Sequence, residues 1–202
     1  MLKTIFFDLG NVLVFFSHPK MYRQIAECTG LPEHAIRKIL VDEKIQQYYE
    51  SGQIDTAHLN EIFKSHSPKS FDQHALLAAA SDIFSPNTSV FPLVEELKHR
   101  GLRLVLLSNT SECHYNRVHA QYPILKLFDD AVLSYKVGAL KPSEIIFLHA
   151  LSKAECDLKH CFYIDDIAEY VLVARKVGLD SEIYTGVPAL KKALISRGLS
   201  MS

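Results

Sequence analysis

Acidic, hydroxyl, amide and ammonium side chains stand beside apolar runs at well-separated points of the 202-residue sequence. These residues are Asp8, Ser108, Asn109, Lys141, Asp165 and Asp166. Carboxylates bind magnesium through oxygen, and magnesium together with an ammonium group neutralises a transferring phosphate. A remaining carboxylate can attack phosphorus and split hydrolysis into two steps through an aspartyl phosphate. The set therefore suits phosphoryl transfer better than any other common reaction.

These side chains need a scaffold that brings distant parts of the chain together, and the apolar runs predict one. Residues 4–7 are β-branched or aromatic and lead into Asp8, which is typical of a buried strand that ends in a polar turn. Each such run is followed by a helix-like segment, so we predict repeated βαβ units and an α/β doubly wound parallel sheet. The other predicted strands are residues 102–107, 131–133, 161–164 and 182–184, and a last helix is predicted at residues 188–197.

The polar residues all fall near the carboxyl ends of these predicted strands. In an open parallel sheet those ends share one edge, and ligands bind in the crevice outside it. Asp8, Ser108 and Asp166 can therefore face one pocket although they are far apart in sequence. Lys141, which precedes Pro142, can join them from the loop after the third predicted strand.

The long stretch between the first two predicted strands shows no comparable strand and looks helical. Ser51 and Gly52 are typical of a helix end, and Asp55 and Asp72 stand where helix N-caps would stand. We predict an all-α cap at residues 17–87, inserted into a core formed by residues 1–16 and 88–202. Such an insert is too long for an ordinary connection, so we expect a lid with hinges near residues 16–19 and 85–88.

Composition excludes several classes of function. The formal net charge is −1 and the basic residues are dispersed, so no cationic face predicts binding to nucleic acid or to an anionic membrane. The sequence shows no signal peptide and no apolar run of about 20 residues, the length that a membrane span needs. The four cysteines form no C-x-x-C pair and are expected to be buried free thiols. We therefore expect a cytoplasmic protein. We also expect a monomer or weak homodimer, and a small-molecule phosphate ester as the partner.

Four sequence fragments carry a family resemblance. FFDLGNVLV, LLSNT, GALKP and FYIDD, in that order and with a helical insert after the first, resemble the four motifs of the haloacid dehalogenase superfamily. The likeness spans residues 2–178. The phosphatase branch, with a helical cap of the C1 type after the first motif, is the closest fit. The resemblance implies a magnesium-dependent phosphohydrolase.

The resemblance also implies a role for each phosphate-handling residue. Asp8 aligns with the nucleophile, and Ser108 aligns with the hydroxyl that binds phosphate. Asn109 is expected to assist Ser108. Lys141 aligns with the lysine that steadies both the nucleophile and the phosphate.

The same resemblance implies a metal site for Mg²⁺. Its ligands would be the Asp8 and Asp166 carboxylates and the backbone carbonyl of Gly10. Asp165 would not bind the ion directly; it would contact the ligands or reach the ion through a water molecule.

The sequence departs from the phosphatase pattern at Gly10, where these enzymes usually carry a second aspartate as general acid. Such an acid is typically worth about 10²- to 10⁴-fold in rate, so its loss needs compensation. A good leaving group, an ordered water or another side chain can compensate, and His114 is one candidate because an imidazole titrates in the useful range. The DLGN sequence resembles a glycine-bearing subgroup that acts on sugar phosphates.

Two other functions remain open at this point. A 2-haloacid dehalogenase would use Asp8 to displace halide without metal, but the Asp165-Asp166 pair argues against it, as does Gly10 where such enzymes usually have an aromatic residue. A catalytically silent module that binds a phosphorylated ligand is the second alternative, and Gly10 is its best support. None of the ten histidines shows zinc-site spacing.

Overall fold

A parallel sheet forms the centre of the protein, and the computed structural model describes residues 1–200 of the chain. The strands in this range are β1 (Thr4–Phe7), β2 (Val14–Phe16), β3 (Phe84–Pro86), β4 (Arg103–Ser108), β5 (Asp130–Leu133), β6 (Cys161–Asp165) and β7 (Ser181–Ile183). Five of them pair in the order β5-β4-β1-β6-β7, and every neighbouring pair is parallel. The predicted α/β fold with a parallel central sheet is confirmed.

Helices follow the strands along the whole chain. The α-helices are α1 (His18–Thr29), α2 (Glu33–Arg37), α3 (Ile45–Glu50), α4 (Thr56–His66), α5 (Gln73–Ser81), α6 (Phe91–His99), α7 (Glu112–Gln121), α8 (Ser134–Val137), α9 (Glu144–Ser152), α10 (Ala168–Lys176) and α11 (Val187–Ser196). A π-helical segment (Lys38–Asp42) and two 3₁₀ segments (Pro123–Leu127 and Leu158–His160) complete the helical structure of residues 1–200. None of these helices is long and apolar enough to cross a membrane.

The alternation of side chains along β1 explains why helices cover both faces of the sheet. Ile5 and Phe7 belong to a core that residues of α6, α7 and α11 complete, whereas Phe6 packs with residues of α9 and α10. All three side chains are completely buried. A central parallel strand buried on both faces reads as a continuous apolar run, which is why the sequence identifies it.

Helices α1 to α5 follow one another between β2 and β3. Asp55 and Asp72 cap α4 and α5 as predicted, because their side chains accept hydrogen bonds from the backbone N–H of His58 and Ala75. The buried side chains of the five helices form a hydrophobic cluster separate from the two that cover the sheet. This part of the chain therefore has its own core.

The ribbon of β2 and β3 is absent from the sequence prediction. The two strands pair antiparallel, with Val14 opposite Pro86 and Phe16 opposite Phe84. Strands of three residues are too short to show an alternating pattern in the sequence. Proline is tolerated in β3 because both strands of a two-stranded ribbon are edge strands, in which not every backbone N–H is needed for pairing. The two connections between the helical insert and the sheet thus include a pair of short strands beside the predicted hinge segments.

The other predicted elements differ from the structure by at most one residue at each end. The first strand matches residues 4–7, and β4 begins and ends one residue later than predicted, so that Ser108 closes the strand. The cysteines are all free, as predicted, but only Cys161 is fully buried and the other three are half-buried.

Candidate active site

The carboxyl ends of β1, β4 and β6 meet at a cavity of about 250 Å³. Asp8 follows β1, Ser108 closes β4 and Asp166 follows β6, and all three line the cavity. Lys141 reaches it from the loop between α8 and α9. Three further residues singled out in the sequence line it as well: Gly10, Asn109 and His114. Asp165 lies behind this lining and is fully buried.

Lys141 is a buried ammonium group that joins two carboxylates. Its Nζ donates to Asp8 Oδ1 at 2.8 Å, to Asp165 Oδ2 at 2.6 Å and to the Leu107 carbonyl at 3.1 Å. These acceptors match the three hydrogens of the ammonium. Burial by itself lowers the pKa of Lys141, but the two carboxylates outweigh burial and hold that pKa above its ordinary value. Lys141 therefore stays a cation and fixes one oxygen of Asp8.

Three carboxylates crowd the same edge of the sheet. One oxygen from each of Asp8, Asp165 and Asp166 lies within 4.8 Å of the others. Burial raises the pKa of Asp8 to about 7, with Lys141 opposing the rise and Asp165 adding to it. When all are ionised, three carboxylates and one ammonium leave two negative charges in excess, which one divalent cation would neutralise. Oxygen ligands of this kind fit Mg²⁺.

The two neighbouring aspartates differ in how they are used. Asp165 accepts hydrogen bonds from Lys141, from the Tyr163 hydroxyl and, at 2.8 Å, from the Ile167 N–H. Asp166 accepts a hydrogen bond from Asn11 Nδ2 at 2.9 Å, and it faces the cavity. Asp166 is thus the better placed of the two to bind a metal ion, and Asp165 is placed to hold Lys141.

Asn109 holds the backbone of Lys141 on both sides of the residue. Its Oδ1 accepts from the Lys141 N–H at 2.7 Å, and its Nδ2 donates to the Lys141 carbonyl at 2.9 Å. These two hydrogen bonds position Lys141, and the assistance of Asn109 to Ser108 at a phosphate stays a prediction. The Ser108 hydroxyl makes only a long contact of 3.4 Å to the carbonyl of Asn109, so it can bind a ligand.

Gly10 faces an aromatic ring. A Cβ atom at residue 10 would lie 2.9 Å from Cε1 of Phe16, a separation that real Cβ atoms essentially never show. The ring of Phe16, on β2, therefore takes up the space into which a side chain of residue 10 would extend. An aspartate at this position would require the ring to move.

The geometry argues against His114 as the substitute acid. Its Nε2 donates to the Ala80 carbonyl at 3.1 Å, because a carbonyl can only accept. Burial lowers the pKa of His114 to about 4, so the ring is neutral near pH 7 and carries no imidazolium proton to give.

Three polar residues of the helical insert line the cavity and were missed by sequence reasoning: His18, Gln46 and Glu50. Gln46 Nε2 donates to Glu50 Oε1 at 2.8 Å, a contact between residues four apart on α3. That spacing was the one available signal, but the sequence does not say which face of α3 meets the sheet.

A family model described as haloacid dehalogenase-like hydrolase matches residues 2–178. Among curated proteins, "Phosphatase MT3486" of Mycobacterium tuberculosis is 24% identical over 184 residues, which cover 88% of this chain and 85% of that protein. "Sesquiterpene phosphatase astK" of Aspergillus oryzae is 24% identical over 94 residues. That second match spans 46% of this chain and only about half, 48%, of the relative.

Solved structures show the same fold. The HAD family enzyme BT-2542 of Bacteroides thetaiotaomicron superposes with a TM-score of 0.81 at 22% identity, covering 96% of this chain and 98% of the other. The same enzyme in complex with magnesium and inorganic phosphate gives a TM-score of 0.76 at 23% identity, covering 92% and 96%. At this level of identity the likeness establishes the fold.

Proposed function

Since the chain belongs to the haloacid dehalogenase-like hydrolase family, we propose that it is a magnesium-dependent phosphatase that acts through an aspartyl phosphate on Asp8. The observation that carries the proposal is the buried Lys141 Nζ, 2.8 Å from Asp8 Oδ1, in a cavity that Ser108 and Asp166 also line. A carboxylate held by a fixed cation beside further oxygen ligands is the arrangement that in-line phosphoryl transfer needs.

The residues of the site divide the tasks of the proposed reaction among them. Asp8 attacks phosphorus, Lys141 keeps the attacking carboxylate oriented, and the Ser108 hydroxyl binds a phosphate oxygen. Asp8, Asp166 and the Gly10 carbonyl would hold Mg²⁺, which supplies charge neutralisation for the phosphoryl group when bound. Asp165 and Asn109 position Lys141 through their hydrogen bonds.

The names of related proteins support a phosphate ester as substrate. Two curated relatives are phosphatases by name, and BT-2542 has been crystallised with magnesium and inorganic phosphate. A cavity of about 250 Å³ suits a small metabolite, and the insert lines it with the polar side chains His18, Gln46 and Glu50. We propose a small phosphorylated metabolite, such as a sugar phosphate, whose hydroxyls contact His18 and Gln46. The protein would act in the cytoplasm as a monomer or weak homodimer.

The helical insert is proposed to be a cap that closes over the substrate. Residues 17–87 would form the cap, and residues 1–16 and 88–202 the core. The separate hydrophobic cluster of α1 to α5 supports this division, as do the cavity residues that the insert contributes. A closed cap would exclude water during phosphoryl transfer and strengthen the electrostatic contacts of Lys141.

Chelation is expected to abolish the activity. With excess EDTA, hydrolysis of 4-nitrophenyl phosphate should stop, and added Mg²⁺ should restore it, because the excess negative charge around Asp8 otherwise repels the phosphate. Asp166→Asn should weaken Mg²⁺ binding, measured by calorimetry, by at least about 10-fold. The matched control is Asp157→Asn, since Asp157 is a 73% exposed aspartate outside the cavity and should leave the affinity unchanged.

A panel of phosphate esters and 2-haloacids separates the proposal from its alternatives. Halide release at full rate in excess EDTA would contradict the magnesium role and favour a dehalogenase. Phosphate binding without hydrolysis of any ester would favour a silent binding module.

A further inference from the structure

The residues assigned so far supply no proton to the leaving oxygen of a phosphate ester. The Phe16 ring lies 2.9 Å from where a Cβ of residue 10 would be, so the acid has to come from another element. Apart from the nucleophile, the metal-binding carboxylate and Lys141, the cavity lining within residues 1–200 has four titratable side chains. They are His18, Glu50, His114 and Tyr170.

Three of these four are poorly suited to donate a proton. Burial lowers the pKa of His114 to about 4 and lowers that of His18, so both rings are neutral near pH 7. The Tyr170 ring lies with its centroid 5.0 Å from Lys141 Nζ, beside the cation that serves the phosphate. Burial also raises the pKa of Tyr170, which makes its hydroxyl a weaker acid.

Glu50 differs from the other three because it is a half-buried carboxyl on the cap side of the cavity. Its Oε1 accepts a hydrogen bond from Gln46 Nε2 at 2.8 Å, and within residues 1–200 its Oε2 has no hydrogen-bond partner. Burial raises the pKa of Glu50 above its ordinary value, which favours the protonated form. Oε2 is therefore the oxygen of Glu50 that is available to carry a proton toward a ligand in the cavity.

The backbone of Glu50 is anchored to the core of the protein. Ser134 Oγ lies 2.6 Å from the Glu50 carbonyl and 2.9 Å from the Thr110 N–H, and it thereby ties the end of α3 to the loop that follows Ser108. Two residues further on, Gly52 has φ 70°, and a Cβ there would lie 2.2 Å from the Tyr135 carbonyl oxygen. The close approach requires glycine. The end of α3 that carries Glu50 is thus fixed against the loop that follows Ser108.

We propose that Glu50 is the proton donor to the leaving oxygen in the phosphatase reaction, an inference that rests on the proposed function. As Asp8 bonds to phosphorus, the bond from phosphorus to the ester oxygen breaks, and that oxygen keeps the electron pair and takes the proton of Glu50. The Glu50 carboxylate then takes a proton from water while the hydroxide attacks phosphorus and the bond to Asp8 breaks. Ester and water give alcohol and phosphate, and both side chains return to their starting states.

The test is the dependence of the Glu50→Gln rate on the leaving group. With Mg²⁺, kcat for glycerol phosphate and glucose 6-phosphate should fall by about 10²- to 10⁴-fold, the worth of a positioned acid. The kcat for 4-nitrophenyl phosphate should change little, because its leaving group needs no proton, and KM should stay similar throughout. Glu50→Asp keeps the carboxyl group but shortens the side chain by one methylene, so it should give intermediate rates with alkyl phosphates. Such partial activity would show that the loss in Glu50→Gln does not come from a folding defect.

Glu112→Gln is the matched control. Glu112 is an exposed carboxylate at the same junction of insert and core, where it accepts from Thr56 Oγ1 at 3.1 Å, and it does not line the cavity. Its variant should keep the native ratio of alkyl to aryl rates.

Other outcomes overturn the inference. An equal loss for alkyl and aryl esters, or a loss confined to KM, would make Glu50 a binding residue. If the native protein hydrolyses aryl but no alkyl phosphates, it contains no proton donor for the leaving oxygen. In that case the proposed phosphatase function holds, and the proposed role of Glu50 fails. If the native protein hydrolyses no ester at all, the proposed function fails and the role of Glu50 fails with it.

Discussion

Asp8→Asn is expected to abolish phosphatase activity while the protein stays folded. An amide oxygen cannot form the aspartyl phosphate, so turnover of 4-nitrophenyl phosphate should fall by about 10⁴- to 10⁶-fold, the range seen when a member of a covalent catalytic triad is removed. The fold should survive because asparagine is nearly isosteric and keeps an acceptor for Lys141, whose charge remains paired with Asp165 at 2.6 Å. Initial rates and a thermal melt of the same preparation measure both effects.

Asp166→Asn is the control that separates loss of the nucleophile from loss of the metal. Its activity should recover in part as Mg²⁺ is raised, whereas that of Asp8→Asn should not recover at any concentration. Acid quenching of the native enzyme during turnover of a labelled ester should trap phosphate on the protein, and Asp8→Asn should trap none. A native rate in Asp8→Asn would refute the covalent mechanism.

The sequence predicts much of this site because it depends on strand ends. Asp8 and Asp165 each follow a short apolar run. A central parallel strand is buried on both faces, so its sequence is a continuous apolar run that can be recognised without knowledge of its neighbours. The common edge of the sheet then brings these aspartates and Ser108 together by topology alone. Fold class, strand ends and helix caps such as Asp55 were open to prediction for this reason.

Contacts between distant side chains were not predictable, and they determine how the site is assembled. The Asn109 amide could be assigned to phosphate or to protein from sequence, and only the structure shows it bonded to the backbone of Lys141, 32 residues away. The ring of Phe16 beside Gly10 depends on a three-residue strand that has no pattern of its own. The placement of Glu50 depends on Ser134, 84 residues further along the chain. Pairings of this kind leave no local period in the sequence.

Lys141→Met is expected to destabilise the protein strongly as well as inactivate it. Lys141 is only 1% exposed, and its removal leaves Asp8 and Asp165 buried without a cation. Breaking a buried ion pair from one side costs about 3–5 kcal/mol, because the remaining charge is uncompensated. Urea unfolding in EDTA should therefore show a free energy of unfolding lower by that amount.

Two comparisons make the Lys141→Met result specific to the buried charges. Lys98 pairs with Asp129 at 2.6 Å, but these side chains are 33% and 29% exposed, so Lys98→Met should cost no more than about 1 kcal/mol. Adding Asp165→Asn to Lys141→Met removes one of the two stranded charges and should restore part of the stability. Activity should stay lost in this double variant, because Asp8 still lacks the cation that orients it. Equal losses for Lys141→Met and Lys98→Met, or no recovery in the double variant, would show that Lys141 does not serve to neutralise the buried carboxylates.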